Sequence, residues 1–286
     1  MALWWRNWRP RPEPGTVRSH GTVPSSVNFV RVGGGPPLVL IHGIGHRWQT
    51  WEPVIDTLSA LHDVVALDLP GFGASPMPVH GMPTDMTAIV AGVSCFLADE
   101  GIDRPHVAGS SLGGAIALEL AAADLVASAT AFSPAGFSAP AQRRRALAIL
   151  RTLRVNSFLP APVIRLVLRS RTLRACSFGP LVAHPSRLRP QDMVDDALAL
   201  RRGHGFRPVA RVLRDYRFAG EPTVPVTIAW GEKDRILRPS QAVLARATLP
   251  RARHVELHDC GHVPMSDDPE LVASTIFTTT AAARPT

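Results

Sequence analysis

Between an apolar run, His106–Gly109, and a helix-like stretch opening at Leu112 stands Gly109-Ser110-Ser111-Leu112-Gly113. No other stretch restricts the fold as much. A strand that turns at once into a helix leaves its corner side chain exposed in a strained conformation, and small neighbours let the turn close without clashes. Ser111 is the corner residue. It would stand at a helix N-terminus, where peptide dipoles favour developing negative charge. Roughly 0.1 chance matches to such a five-residue pattern are expected in a chain of this composition. Its weight therefore comes from the strand before it and the helix after it.

Short runs rich in Val, Ile and Leu recur along the chain. Strands are expected at Ser26–Val32, Leu38–His42, Val64–Leu69, His106–Gly109, Ser128–Phe132, Val226–Trp230 and His254–Leu257. Runs apolar at nearly every position suit strands buried on both faces, as in a parallel sheet. Helical patterns lie between them at Trp51–Ala60, Asp85–Glu100, Leu112–Ala123, Ser240–Thr248 and Pro269–Phe277. This alternation predicts an α/β fold built from right-handed crossovers, with a mostly parallel central sheet flanked by helices. Residues 138–220 break the alternation. They read as four helices, Gln142–Val155, Pro162–Ala175, Asp192–Arg201 and Pro208–Tyr216, with clustered arginines and interleaved leucines. The expected organisation is an N-terminal tail (1–16), a core domain (17–137 and 221–286) and an all-helical cap insertion (138–220).

Serine is a weak nucleophile until a base takes its proton. His262 lies in Asp259-Cys260-Gly261-His262-Val263-Pro264, just after the last expected strand, and Asp234 lies just after Val226–Trp230. Loops at strand C-termini are where α/β sheets place their sites. The order Ser111, Asp234, His262 suits nucleophile, orienting acid and base. Asp267 and Asp268 are also near His262. One of them is expected to cap the last helix, and either is the alternative orienting acid. The stretch Leu40-Ile41-His42-Gly43-Ile44-Gly45 offers a second device. Acyl transfer needs N–H donors aimed at an oxyanion, and the backbone groups of Ile44 and Leu112 are the expected pair. His42 reads as a ring that holds this loop, and Asp68, in Asp68-Leu69-Pro70-Gly71-Phe72-Gly73, as a turn residue bonded to backbone.

With these motifs in place the chain resembles the α/β-hydrolase superfamily, specifically bacterial serine hydrolases (esterase- and lipase-like) with a helical cap. The matching stretches run from about Leu38 to Phe277. The resemblance implies attack by Ser111 on a small-molecule carboxylic ester or acyl substrate, an acyl-enzyme intermediate, and no metal or organic cofactor. Carboxylic-ester hydrolysis is favoured, and the leucines of the cap, which could line an acyl pocket, suggest a lipid-like or acyl ester. Carbon–carbon bond hydrolysis of ring-cleavage products, thioesterase, lactonase and perhydrolase chemistry use the same triad and stay open, as does a non-catalytic binding role. Epoxide hydrolases of the superfamily use an aspartate nucleophile and a pair of cap tyrosines. Here Ser111 holds that place and Tyr216 is the single tyrosine.

Composition sets the remaining bounds. Apolar residues make up 45% of 286 residues, which is enough for a sizeable core and excludes a coiled-coil, collagen-like or largely disordered chain. Lys+Arg is 31 against Asp+Glu at 23, and Lys233 is the single lysine. No zinc-finger spacing, RNA-binding signature or helix-turn-helix accompanies that charge, so no nucleic-acid partner is expected. The arginines of the cap read as a solvated face. Cys95, Cys176 and Cys260 are an odd set without a CxxC pair, expected to be reduced and mostly buried, as suits the cytoplasm. No apolar stretch reaches the ~18 residues that span a bilayer, and the run at Met1 is too short for a signal-peptide core. Trp4, Trp5 and Trp8 among Arg6, Arg9 and Arg11 suggest weak contact with a membrane surface through the tail, and the arginine–leucine pattern suggests the same for the cap. The sequence leaves the oligomeric state open.

Overall fold

The computed structural model describes residues 27–283. The tryptophan-rich tail lies outside the described residues. Seven strands form one sheet: β1 (Phe29–Gly33), β2 (Pro37–Ile41), β3 (Asp63–Leu67), β4 (His106–Ser110), β5 (Ser128–Phe132), β6 (Val226–Gly231) and β7 (Arg253–Leu257). Their spatial order is β1-β3-β2-β4-β5-β6-β7, with β1 antiparallel to β3 and every other pair parallel. All seven expected strands are present. The first starts three residues later than its apolar run suggested.

The strand sequences explain the layers. Successive side chains point to opposite faces. Val39, Ile41, Val65, Leu67, Val107 and Ile228 enter one core cluster, and their neighbours Leu38, Leu40, Val64, Ala66, Ala108 and Ala229 enter another. Both faces are therefore buried, which is why these strands are apolar throughout. The first cluster is covered by α2 (Met86–Asp99) and α3 (Leu112–Ala122), and the second by α1 (Glu52–Leu58) and α11 (Pro269–Ala281). Asp85 caps α2 through the Ala88 N–H at 2.8 Å, and Asp268 caps α11 through the Leu271 N–H at 2.9 Å. A short α10 (Pro264–Asp267) opens directly after His262, and α9 (Ser240–Thr248) lies between β6 and β7.

Five helices stand between β5 and β6: α4 (Pro140–Asn156), α5 (Ala161–Arg169), α6 (Arg171–Phe178), α7 (Pro190–Arg202) and α8 (Phe206–Asp215). The single helix expected over Pro162–Ala175 is two. Ser170 is extended at ψ 126° and its hydroxyl accepts the Leu173 N–H, so it ends one helix and caps the next. These five helices are two packing units. Ala146 and Leu147 of α4, with Val209, Val212 and Leu213 of α8, join the sheet core. Ile164 and Leu168 of α5 pack with Met193 and Val194 of α7 in a small cluster of their own. Cys95 and Cys176 are exposed and only Cys260 is buried, which corrects the expectation of mostly buried thiols.

The chain reverses its direction of growth at β2. From there β3 adds on one side and β4 on the other. Such a switch point opens a crevice at the strand C-termini. The residues that follow β2 and β4 are His42-Gly43-Ile44 and Ser111.

Candidate active site

Ser111 has φ 56° and ψ −110°, a conformation that costs a non-glycine residue energy and persists only where its surroundings enforce it. They do so through close approach. A Cβ on Gly109 would lie 2.1 Å from the Gly113 carbonyl oxygen, and one on Gly113 would lie 2.1 Å from the Ile41 oxygen. Strand, turn and helix are pressed together backbone to backbone. The Ser111 N–H donates to the Phe132 carbonyl oxygen at 2.9 Å, and the Ser111 carbonyl oxygen accepts the N–H groups of Ala115 and Ala135 at 3.0 Å each. Leu112 opens α3, so its N–H has no partner within the helix.

The loop after β2 makes a tight turn. The His46 N–H donates to the Gly43 oxygen at 3.1 Å, and Gly45 has φ +81°, as the third position of a type II turn requires. Ile44 is at the corner of that turn. His42 braces it from inside the core. Its Nδ1–H donates to the Gly43 oxygen at 2.7 Å, and its Nε2 accepts the Leu69 N–H at 2.9 Å. Burial pushes its pKa down, which keeps the ring in this neutral tautomer. Asp68 accepts the N–H groups of Trp48 and Ala74 and the Asn28 amide at 2.7–2.9 Å. His42 and Asp68 thus play the structural parts expected of them.

At the far side of the switch point, His262 Nδ1–H donates to Asp234 Oδ2 at 2.8 Å, and both side chains are almost wholly buried. The other carboxylate oxygen accepts the N–H groups of Ile236 and Leu237 at 2.8 and 2.9 Å. Asp234 therefore has a fixed orientation, and it fixes the tautomer of His262. The two loops are clamped together: a Cβ on Gly231 would lie 2.1 Å from the Gly261 oxygen, and the Lys233 N–H donates to the Cys260 oxygen at 2.8 Å. Asp267 does not touch the His262 ring. It accepts the N–H groups of Ala183, His184 and Gly261 at 2.8–3.0 Å, tying the His262 loop to the segment between α6 and α7. Asp268 caps α11, so neither alternative acid orients His262.

His46 is a site residue that motif reading missed. A Cβ built on Gly43 would find the Ser111 Cβ at 3.2 Å and His46 Nδ1 at 3.7 Å. Both side chains border the same point. Burial, with His42 and His262 nearby, pushes the His46 pKa down to about 3, so its imidazole is neutral near neutral pH. The signal was the second histidine of His42-Gly43-Ile44-Gly45-His46, and the turn that swings it inward is not visible in residue types alone.

The helices between β5 and β6 close over these loops. A Cβ on Gly45 would lie 2.5 Å from Leu200 Cδ1 of α7, and Arg47 Nη2 stands 3.5 Å from Asp196 Oδ1 of the same helix. A cavity of about 280 Å³ lies between α2 and the loop after β3, and Leu112 is the one site residue among its walls. Its walls are apolar and include Leu69, Phe72, Met82, Ile89, Val93 and Leu112.

A strained serine at a strand-to-helix corner and a buried His–Asp pair, each just past the C-terminus of a strand of one sheet, invite comparison with known proteins. The sequence profile described as the alpha/beta hydrolase family matches residues 38–275. The chain belongs to the alpha/beta hydrolase family. This alpha/beta hydrolase is 30% identical over 263 residues to the dihydrolipoyllysine-residue acetyltransferase component of the acetoin cleaving system of Cupriavidus necator, a match covering 83% of this chain and 62% of that protein. The chain thus spans less than two thirds of that relative's length. It is 25% identical over 255 residues to Lipase 3 of a Moraxella species, covering 81% of this chain and 73% of the lipase. Among solved structures it resembles a membrane phospholipase A, a bacterial virulence factor, with a TM-score of 0.72 and 27% identity over 91% of this chain and 84% of that one.

Proposed function

We propose that this alpha/beta hydrolase cleaves carboxylic esters through Ser111, His262 and Asp234. The observation that carries the reading is the buried hydrogen bond from His262 Nδ1–H to Asp234. It leaves Nε2 as the basic nitrogen, at the sheet edge that also presents Ser111.

In the first half-reaction His262 Nε2 takes the proton of the Ser111 hydroxyl as its Oγ bonds to the ester carbonyl carbon. The carbonyl oxygen gains the negative charge and is met by the N–H groups of Leu112 and Ile44 and by the positive end of α3. The tetrahedral species collapses, and the bond to the leaving alcohol breaks as His262 returns its proton to that oxygen. In the second half-reaction water gives a proton to His262, attacks the acyl carbon and releases the acid, and Ser111 regains its hydrogen. Asp234 holds the imidazole in register and stabilises the imidazolium formed twice per cycle. His46, neutral and facing the same point as Ser111, is a further N–H donor for a substrate oxygen.

A fluorophosphonate label and a series of p-nitrophenyl esters of increasing chain length test the reading. Labelling is expected at Ser111, and Ser111→Ala is expected to lower kcat by roughly 10⁴-fold or more while the protein stays folded. Near-normal ester turnover in that variant would overturn the assignment.

A further inference from the structure

Between Asp124 and Asp192 the sequence holds no acidic residue and eleven arginines. The same stretch exposes apolar side chains. Val155, Phe158, Leu159, Val163, Leu166 and Leu173 are each at least 40% exposed, within nineteen positions of one another. Apolar surface in water is unfavourable, and large exposed groupings of it mark interaction sites.

The helix α5 shows how the surface is built. Its inward side chains, Ile164 and Leu168, complete the small cluster with α7. Its outward arc carries Val163 and Leu166 together with Arg165 and Arg169, all exposed. Among the described residues Arg144, Arg151, Arg165, Arg169 and Arg171 have neither an ion pair nor a hydrogen bond. A surface with exposed alkyl and phenyl groups and unpaired guanidiniums calls for a partner that is at once apolar and anionic. An anionic phospholipid bilayer offers both, with acyl chains below the headgroups and phosphates at their level. A nucleic-acid duplex presents its charged backbone and keeps its bases stacked inside, with no apolar layer to receive the alkyl groups.

The bend between α4 and α5 settles how such a surface would sit. The chain bends by 113° from the one helix to the other, and among the described residues no single helix is long and apolar enough to cross a membrane. The corner they make, with Phe158 and Leu159 at its tip, lies near the site. Arg201 donates to the carbonyls of Ser157 and Leu159 in the corner, and the adjacent Leu200 presses on Gly45 of the loop after β2.

We propose that the end of α4, the outer face of α5 and the start of α6 form a docking surface for an anionic phospholipid bilayer, on which the chain lies without spanning it. Docking itself does not depend on the ester-hydrolase reading. Only the corollary, that bilayer lipids are presented to Ser111, rests on it.

Sedimentation of the full chain with vesicles tests the proposal, comparing pure phosphatidylcholine with phosphatidylcholine containing one quarter phosphatidylglycerol. Wild type and Ser111→Ala are expected to bind the anionic vesicles alike, and less tightly as salt rises. Apparent affinity is expected to fall about tenfold for the pair Val163→Ser and Leu166→Ser, and about a hundredfold for Arg165→Glu and Arg169→Glu. A third pair, Arg151→Glu in the second half of α4 and Arg171→Glu at the start of α6, guards against a misfolded α5. Helical circular dichroism and Tm report folding independently of any activity. Failure of wild type to sediment with anionic vesicles would overturn the proposal. So would unchanged binding in all three folded variants, or binding to duplex DNA that the arginine pairs abolish and the apolar pair leaves intact. Loss of ester turnover in Ser111→Ala with vesicle binding retained would support both readings separately. Turnover retained in Ser111→Ala would overturn the ester reading alone.

Discussion

The loops at the sheet edge and the helices between β5 and β6 are held in place by different means. Around Ser111 and His262 the backbone does the holding. Gly109, Gly113 and Gly231 each sit where a Cβ would come within 2.1 Å of a carbonyl oxygen. Asp234 and Asp267 each take more than one backbone N–H. Among the helices the holding is done by long side chains. Arg201 donates to Ser157 at the end of α4, Arg174 to Leu168 in the last turn of α5, Arg154 to Leu200 in the last turn of α7, and Arg143 to Tyr216 at the end of α8. Four helices thus end on a guanidinium, which satisfies orphan carbonyls and complements the negative end of each helix. Part of what read as a solvated arginine face is a set of C-terminal caps. Backbone clamps fix atoms to the fraction of an ångström that proton transfer demands. Side-chain staples hold the layer of helices between β5 and β6.

The sharpest way to break this contrast is to disturb one carboxylate of the clamped region and then the other. Asp234→Asn keeps the shape but favours the wrong His262 tautomer, and kcat is expected to fall by about 10⁴-fold. Asp267→Asn weakens three backbone contacts and leaves the His262–Asp234 bond alone. Its expected effect is a lower Tm with a much smaller loss of kcat. Paired kinetics and thermal melts check this, and a larger kcat loss in Asp267→Asn would reverse the roles given to the two residues.

Effects should be smaller among the staples. Arg154 donates to Leu200, and its guanidinium lies 5.0 Å from the Phe206 ring centroid and 5.6 Å from that of Phe158. Arg154→Ala loses a charge-assisted hydrogen bond and these ring contacts, an expected destabilisation of about 1.5–3 kcal/mol in urea unfolding. Turnover of a small soluble ester is expected to change by less than about fivefold, because Leu200 touches the Gly45 turn without shaping the His262–Asp234 pair. A kcat loss approaching that of Asp234→Asn would mean that the two regions are not separately held.

What could be read in the sequence divides along the same line. The strand-end positions of Ser111, Asp234 and His262 were legible because each announces itself locally: a corner serine among glycines, or an acid or histidine just past an apolar run. The strands were legible because alternate residues feed two cores, which leaves no polar position in the run. His46 was not, because its place depends on a turn whose effect is to point a side chain back at the β4 corner. The role of Asp267 was not legible because two of its partners, Ala183 and His184, lie 84 and 83 residues away in sequence. The arginine caps are equally non-local, with Arg143 and Tyr216 separated by 73 positions. The break at Ser170 escaped a periodicity reading because the apolar pattern continues through it.

The mildest test uses protons. Burial lowers the pKa of His42, His46, His62 and His106 from an ordinary value near 6.5, that of His46 to about 3. All four belong to the sheet, its flanks and its edge loops. The staples are arginines and do not titrate in this range. Between the folded and unfolded values the unfolded chain binds more protons than the folded one, so the unfolding free energy falls as pH falls. The histidine contribution is therefore fully present above about pH 6.5 and is lost progressively below it. His46→Gln keeps a neutral donor and removes one such proton site. It is expected to reduce the stability lost between pH 7 and 5.5 by about 1 kcal/mol, measured by urea unfolding at each pH. The same variant should retain most ester turnover, whereas His46→Leu, which has no N–H, is expected to lose about tenfold in kcat/KM. An unchanged pH slope in His46→Gln would show that the His46 ring already takes up its proton in the folded protein, and equal turnover in the two variants would remove His46 from the substrate's surroundings.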